Sequence, residues 1–242
     1  MAERIAKFLA RCGVASRREA ENLIKQGRIV VNGEEVLTPA FLVEGNENIL
    51  FDGEKVKKKE KTRLWVYYKP VGLVTTHKDE KDRETVFNNL PNGLPRVISV
   101  GRLDLNSEGL LLLTNDGELS RQLELPQNAW SRRYRVRVHG FLNEKRLQEL
   151  EKGVVIEGVE YSACKIIVDS KQGTNAWLTI SLNEGKNREI RKLMAFVGLD
   201  VARLIRVSYG PFQLGSLKPG EVKEVPFKVL KEQLGKNFVL CE

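Results

Sequence analysis

The chain has 242 residues, 41% of them hydrophobic, which is room for two modest domains with a proper core and excludes a largely disordered protein. Its 40 lysines and arginines against 32 acidic residues leave a net charge of +8, which fits a polyanionic partner as well as it fits a merely soluble basic protein. Three distant cysteines (Cys12, Cys164 and Cys241), no apolar run of membrane-spanning length and no signal-peptide core at the start exclude a disulfide framework and imply a cytoplasmic protein with no membrane contact.

In chain order, Ile5, Phe8, Leu9 and Cys12 recur at helical spacing, and Gly13 follows as a stop signal. Ser16 and Glu19 have capping-box spacing, so a second helix is expected from Arg17 to Gly27. A hairpin follows: Ile29 to Val31, a turn at Asn32-Gly33, and a return through Val36-Leu37. This unit, residues 1–60, carries Arg4, Lys7, Arg11, Arg17, Arg18, Lys25 and Arg28 with few acids before Glu34, the mark of a phosphate-binding face. Lys55 to Arg63 is charged and aperiodic, as a linker is.

Residues 64–235 form the second expected domain. Strands are predicted at 66–68, 97–100, 110–114 (closed by an Asn115-Asp116-Gly117 turn), 134–138, 154–156, 165–168, 177–182 and 201–207. Asn143 is placed to cap a helix ending near Gly153, and Ile190, Leu193, Met194 and Val197 mark an amphipathic helix. The irregular alternation implies an α+β fold on a mixed, largely antiparallel sheet, without the rhythm of a doubly wound one.

Two segments carry candidate chemistry. Gly101 to Gly117 contains a polar loop between apolar strands, and Asp104 within it is either a carboxylate on a rigid frame or a turn residue satisfying local amides. Asn183 to Lys192 sets Arg188 and Arg191 on one helix face, either solvated or aimed into a cleft where a guanidinium keeps a buried carboxylate ionised. The two histidines, His77 and His139, belong to no cluster, so neither a metal site nor a Ser-His-Asp triad is expected.

Together these segments resemble the RNA pseudouridine synthases. Gly101-Arg102-Leu103-Asp104 with the Asn-Ser-x-Gly and Leu-Leu-x-Thr-Asn-Asp-Gly that follow is similar to the family's central motif. Tyr68-Lys69-Pro70-x-Gly72, Tyr134-Arg135-Val136 and Gly185 to Arg191 resemble its Lys-Pro opening, tyrosine strand and basic helix. The first unit resembles the RNA-binding module of a small-subunit ribosomal protein. The branch is that of RsuA and RluB, with Asn187-Arg188 leaning toward the large-subunit enzymes. The resemblance implies a monomeric isomerase that needs no cofactor and converts uridine to pseudouridine in ribosomal RNA or an assembly intermediate. It implies Asp104 as nucleophile, Tyr134 against the target base, Arg191 paired with Asp104, and Arg102 filling the vacated stack. A small-subunit target and a non-catalytic assembly factor remain alternatives. A glycoside hydrolase, which needs two flanking carboxylates such as Asp104 and Glu108, is a weaker one.

Overall fold

A computed structural model of the chain describes residues 2–57, 60–235, 238 and 240; Lys58 and Lys59 of the expected linker, and Cys241, lie outside them. Helices α1 (Ile5–Arg11) and α2 (Arg17–Lys25) open the chain. The Ser16 hydroxyl accepts the Glu19 backbone N–H at 3.1 Å, which starts α2 where the capping spacing predicts. Ile5 and Leu9 meet Ala20, Ile24, Ile29, Val43 and Ile49 in one apolar cluster. Asn32 (φ 52°) and Gly33 (φ 91°) supply the two positive φ values of a tight hairpin turn. Pairing resumes at once, so the return strand is Glu34–Glu35 rather than Val36-Leu37. Val36 turns inward and Leu37 outward. A further pair, Ile49–Phe51 with Glu54–Lys55, extends this sheet, so Lys55 belongs to a strand and not to a linker.

The larger sheet uses strands β1 (Leu64–Lys69), β2 (Glu108–Thr114), β3 (Arg132–His139), β4 (Lys165–Gln172), β5 (Asn175–Leu182), β6 (Asp200–Tyr209) and β7 (Val222–Val225). Their spatial order is β4-β5-β3-β6-β2-β1-β7; Ile98–Val100 adds to β2 and Phe212–Gln213 to β6. Pairing is antiparallel except at β2–β6, which is parallel through Glu108 and Gly109. The Asn115-Asp116-Gly117 segment starts a helix instead of making a turn. The Asp116 carboxylate accepts the Glu118 N–H at 2.9 Å and caps α3 (Gly117–Glu124), whose Leu119 and Leu123 are buried. Helices α4 (Glu144–Leu150, capped by Asn143), α5 (Glu189–Phe196) and α6 (Phe227–Leu234) follow.

Burial along each strand records which faces are covered. Every residue of β1 and β2 is buried, because both faces of these strands are packed. Leu64, Val66, Leu110 and Leu112 meet α3 and α6 on one side. Trp65, Tyr67, Leu111 and Leu113 meet Leu73, Val86 and Leu103 on the other. On β3 and β5 burial alternates: Val136, Val138, Leu178 and Ile180 pack under α4 and α5, and the opposite face is left open. The apolar clusters also divide along the chain, one ending at Val56 and the others beginning at Leu64.

Candidate active site

A cleft of about 700 Å³ opens where the Gly101–Ser107 loop faces β3, β6 and the start of α5. The loop has little freedom, because each carbonyl from Leu103 to Ser107 is held. Leu103 accepts from the Thr75 hydroxyl at 2.9 Å, and Asp104 from the Ser107 N–H at 3.0 Å. Leu105 accepts from the Gly72 N–H at 2.8 Å, and Asn106 from Arg191 Nη2 at 2.8 Å. The fifth, Ser107, accepts from Lys69 Nζ at 2.9 Å. Backbone groups tied this fully cannot drift, so the Asp104 side chain is presented from a rigid frame. Its carboxylate lines the cleft half-buried and, among the described residues, has no hydrogen-bond or ion-pair partner.

Lys69 is the centre of this arrangement. Its side chain is fully buried at the end of β1, and its ammonium also donates to the carbonyls of Pro70 at 2.9 Å and Asp104 at 3.2 Å. Three acceptors match its three donors. Burial pulls Lys69 down to about 8, against the opposing pull of Asp104 and Glu108. Glu108 is committed elsewhere: its carboxylate accepts from Arg203 at 2.6 and 3.1 Å and from the Tyr68 hydroxyl at 2.8 Å. The Arg203 bonds hold it below the usual carboxylate range. It is therefore structural, and a two-carboxylate arrangement with Asp104 has no support. Gly109 lets β2 and β6 run side by side. It sits at φ 101°, and a Cβ there would collide with the backbone of Arg206.

Of the residues expected from sequence, Asp104, Arg102 and Tyr134 line one cleft. Tyr134 is half-buried on β3 and packs against two of the apolar clusters, which fixes its ring at the cleft wall; Arg102 is exposed at the mouth. Arg191 is placed differently. It stands behind the loop, donating to the carbonyls of Asn106 and of Val201 (3.1 Å), and makes no direct ion pair with Asp104. Burial and Arg188 lower its pKa while Asp104 raises it, so the two charges interact at a distance. Arg188, at the left-handed cap of α5 (φ 52°), is the member of that pair that lines the cleft.

Sequence reasoning assigned no role to Lys69 or Arg206. Arg206 is buried in the cleft wall, with Nε donating to the Leu110 carbonyl at 2.7 Å and Nη2 without a partner. The available signal was a charged residue closing or interrupting an otherwise apolar strand, since a buried cation needs a dedicated set of acceptors. In the first unit, Arg4, Arg17, Arg18 and Lys25 are exposed. Three others are engaged in ion pairs: Lys7 with Glu118 of α3 (2.8 Å) and Glu3, Arg11 with Glu3 (2.5 Å), and Arg28 with Asp52.

Residues 63–196 match the model of the family described as RNA pseudouridylate synthase, and residues 3–49 match the S4 domain. A protein of Rickettsia felis named "Uncharacterized RNA pseudouridine synthase" is 48% identical over 230 residues, 95% of this chain and 100% of that one. "Ribosomal large subunit pseudouridine synthase B" of Salmonella typhi is 42% identical over 220 residues, 88% of this chain and 76% of that one. A solved structure titled "Crystal structure of pseudouridylate synthase" shares the fold at a TM-score of 0.68 and 24% identity, covering 96% of this chain and 99% of that one.

Proposed function

The chain belongs to the RNA pseudouridine synthase family, and on that premise we propose that it isomerises a uridine of large-subunit ribosomal RNA with Asp104 as the nucleophile. The reaction breaks the N1–C1′ bond, turns the uracil and forms C5–C1′, with no net oxidation. A carboxylate serves by attacking C1′ or by removing the C2′ proton, and in either route it must be ionised, positioned and free. The single observation that carries the reading is the Asp104 carboxylate, without a hydrogen-bond or ion-pair partner among the described residues, on a loop whose carbonyls from Leu103 to Ser107 are all held.

The uridine must leave its stack to reach this depth, at a cost of a few kcal/mol. Stacking on Tyr134 returns about 1–3 kcal/mol, and Arg102 at the mouth is placed to fill the gap. Lys69 and Arg191 act through the loop, holding Asp104 and adding positive charge nearby; they are positioning residues. The amino-terminal S4 domain supplies phosphate contacts that orient the RNA without reading its sequence. The large-subunit target rests on the names of relatives such as the Salmonella protein.

Tritium release from RNA labelled at C5 of uridine tests the nucleophile. Asp104→Asn is expected to bind RNA like the wild type and to release nothing. Release from that variant sinks the assignment, and wild-type binding with no release favours the assembly factor. Mapping pseudouridines in ribosomal RNA from a strain lacking the protein tests the target. One large-subunit site is expected to revert to uridine, and reversion of a small-subunit site moves the reading to that alternative.

A further inference from the structure

The far side of the sheet carries a charge pattern that the cleft does not use. Along β3, Arg133, Arg135 and Arg137 alternate with Tyr134, Val136 and Val138. The second set faces the cleft and the core under α5, so the three arginines stand on the opposite face, all exposed. Helices α3 and α6 close that side over β1 and β2, where Ile205 of β6 packs against them, and leave it open over β3 and β5. At the strand rise, neighbouring guanidiniums of the row start about 7 Å apart.

Like charges lined up on a sheet destabilise it unless opposite charges answer them. The register shows what answers them here. Across β5 the three arginines face Ser181, Thr179 and Trp177. Across β6 they face Ser208, Ile205 and Arg203. None of these six is acidic, one is a further arginine, and that arginine is already committed to Glu108. Arg133 reaches the neutral Gln213 amide oxygen at 3.0 Å. Arg135 lies over the Trp177 ring, its guanidinium carbon 4.7 Å from the ring centre, a cation–π contact that supplies no negative charge. On the neighbouring edge strand, Asp169 is bound through both oxygens to the Thr179 hydroxyl, and the exposed Lys165 stands opposite Ser181.

We propose that this open face of β3 and β5 is a second RNA-binding surface, which grips the phosphodiester backbone of the substrate RNA on the side of the sheet away from the flipped uridine. A row of exposed guanidiniums beside an aromatic ring matches phosphate and base chemistry, and three arginines and Lys165 against Asp169, with Arg203 already paired to Glu108, leave a net positive charge complementary to a polyanion. The face adds affinity through counterion release and takes no part in the chemistry. The proposal takes from the family only that RNA is the substrate, and it stands whether or not Asp104 is the nucleophile.

The full-length Arg135→Ala/Arg137→Ala protein tests it, with in-vitro transcribed large-subunit ribosomal RNA as probe and binding measured across a salt series. The plot of log affinity against log salt should become shallower by about 1–2, with about tenfold weaker binding at moderate salt. Tritium release at saturating protein should keep the wild-type rate, so that KM rises and kcat does not. Arg135→Lys/Arg137→Lys should retain most of the slope. If the alanine pair melts early, Arg135→Gln/Arg137→Gln replaces it with the same expected slope. A wild-type slope and affinity overturn the proposal, and so does a face that loses an acidic protein partner while RNA binding holds. Either result leaves the Asp104 assignment untouched, because binding is read without turnover.

Discussion

Two sets of cations in this protein meet opposite fates. Lys69 and Arg191 point into the catalytic domain and donate to backbone carbonyls of Pro70, Asp104, Asn106, Ser107 and Val201. Arg17, Arg18 and Lys25 of α2 remain exposed in the S4 domain. A buried cation needs several acceptors to offset lost hydration, so it gathers backbone around itself and makes a loop rigid. A cation left in water keeps its donors for a phosphate. Sequence shows both as positive charge; burial divides them into one set that holds the Asp104 loop and one that keeps its donors in water.

Lys69→Met breaks the comparison hardest. It removes the donor shared by three carbonyls, loosens the Asp104 loop, and should cut the rate at saturating RNA by about a hundredfold or more. Stability should fall by about 1–3 kcal/mol, and RNA affinity should change little. Arg191→Ala frees one loop carbonyl, Asn106, and should cost less rate. The same role has a pH signature. Lys69 is held down to about 8, so its charge beside Asp104 is present below that pH and lost above it, and wild-type turnover should fall with an alkaline midpoint near 8. A rate that stays flat through pH 8 removes Lys69 from the picture.

The opposite set gives the opposite split. Arg17→Ala/Arg18→Ala/Lys25→Ala should weaken binding and lower the salt slope by about 2–3, with the rate at saturation preserved. A loss of that rate instead says these residues shape the site. The smallest effect concerns a buried anion that shows the same rule with the sign reversed. Burial, then the neighbouring Glu184, pushes Glu189 up to about 7. Its folded pKa lies above the unfolded one, so the stability it contributes is greatest below the ordinary carboxylate range and is lost as pH rises through 7. Glu189→Gln should therefore raise the melting temperature by a few degrees at pH 8, about 1–3 kcal/mol, and hardly at all at pH 5. An equal shift at both pH values contradicts the raised titration of Glu189.

Much of the fold was legible. The Ser16 and Asn143 caps, the Asn32-Gly33 turn and the alternation along β3 are local signals, and each appears where local chemistry puts it. The misread segments were those where two local solutions compete. Asn115-Asp116-Gly117 suits a turn or a helix start, and the apolar residues of α3 decided for the helix. Of the site, Asp104, Tyr134 and Arg102 could be named from motif order, and they share the cleft. Arg191 was legible from the resemblance as a neighbour of Asp104 but not as an anchor of Asn106, because no motif records which backbone carbonyl a side chain reaches.

By itself the sequence determined the family, the basic S4 module and the one loop carboxylate worth testing, since motifs, caps and periodicity act over a few residues. Only the tertiary structure decided which charges are spent and which are free. It closed Lys69 onto three carbonyls, gave Glu108 to Arg203, moved Arg191 behind the loop, and left Arg133, Arg135 and Arg137 facing outward with no acid opposite. The reason is physical: a side chain's burial and partners come from strands that are neighbours in the sheet and distant in the chain, and burial sets the cost of leaving a charge unpaired.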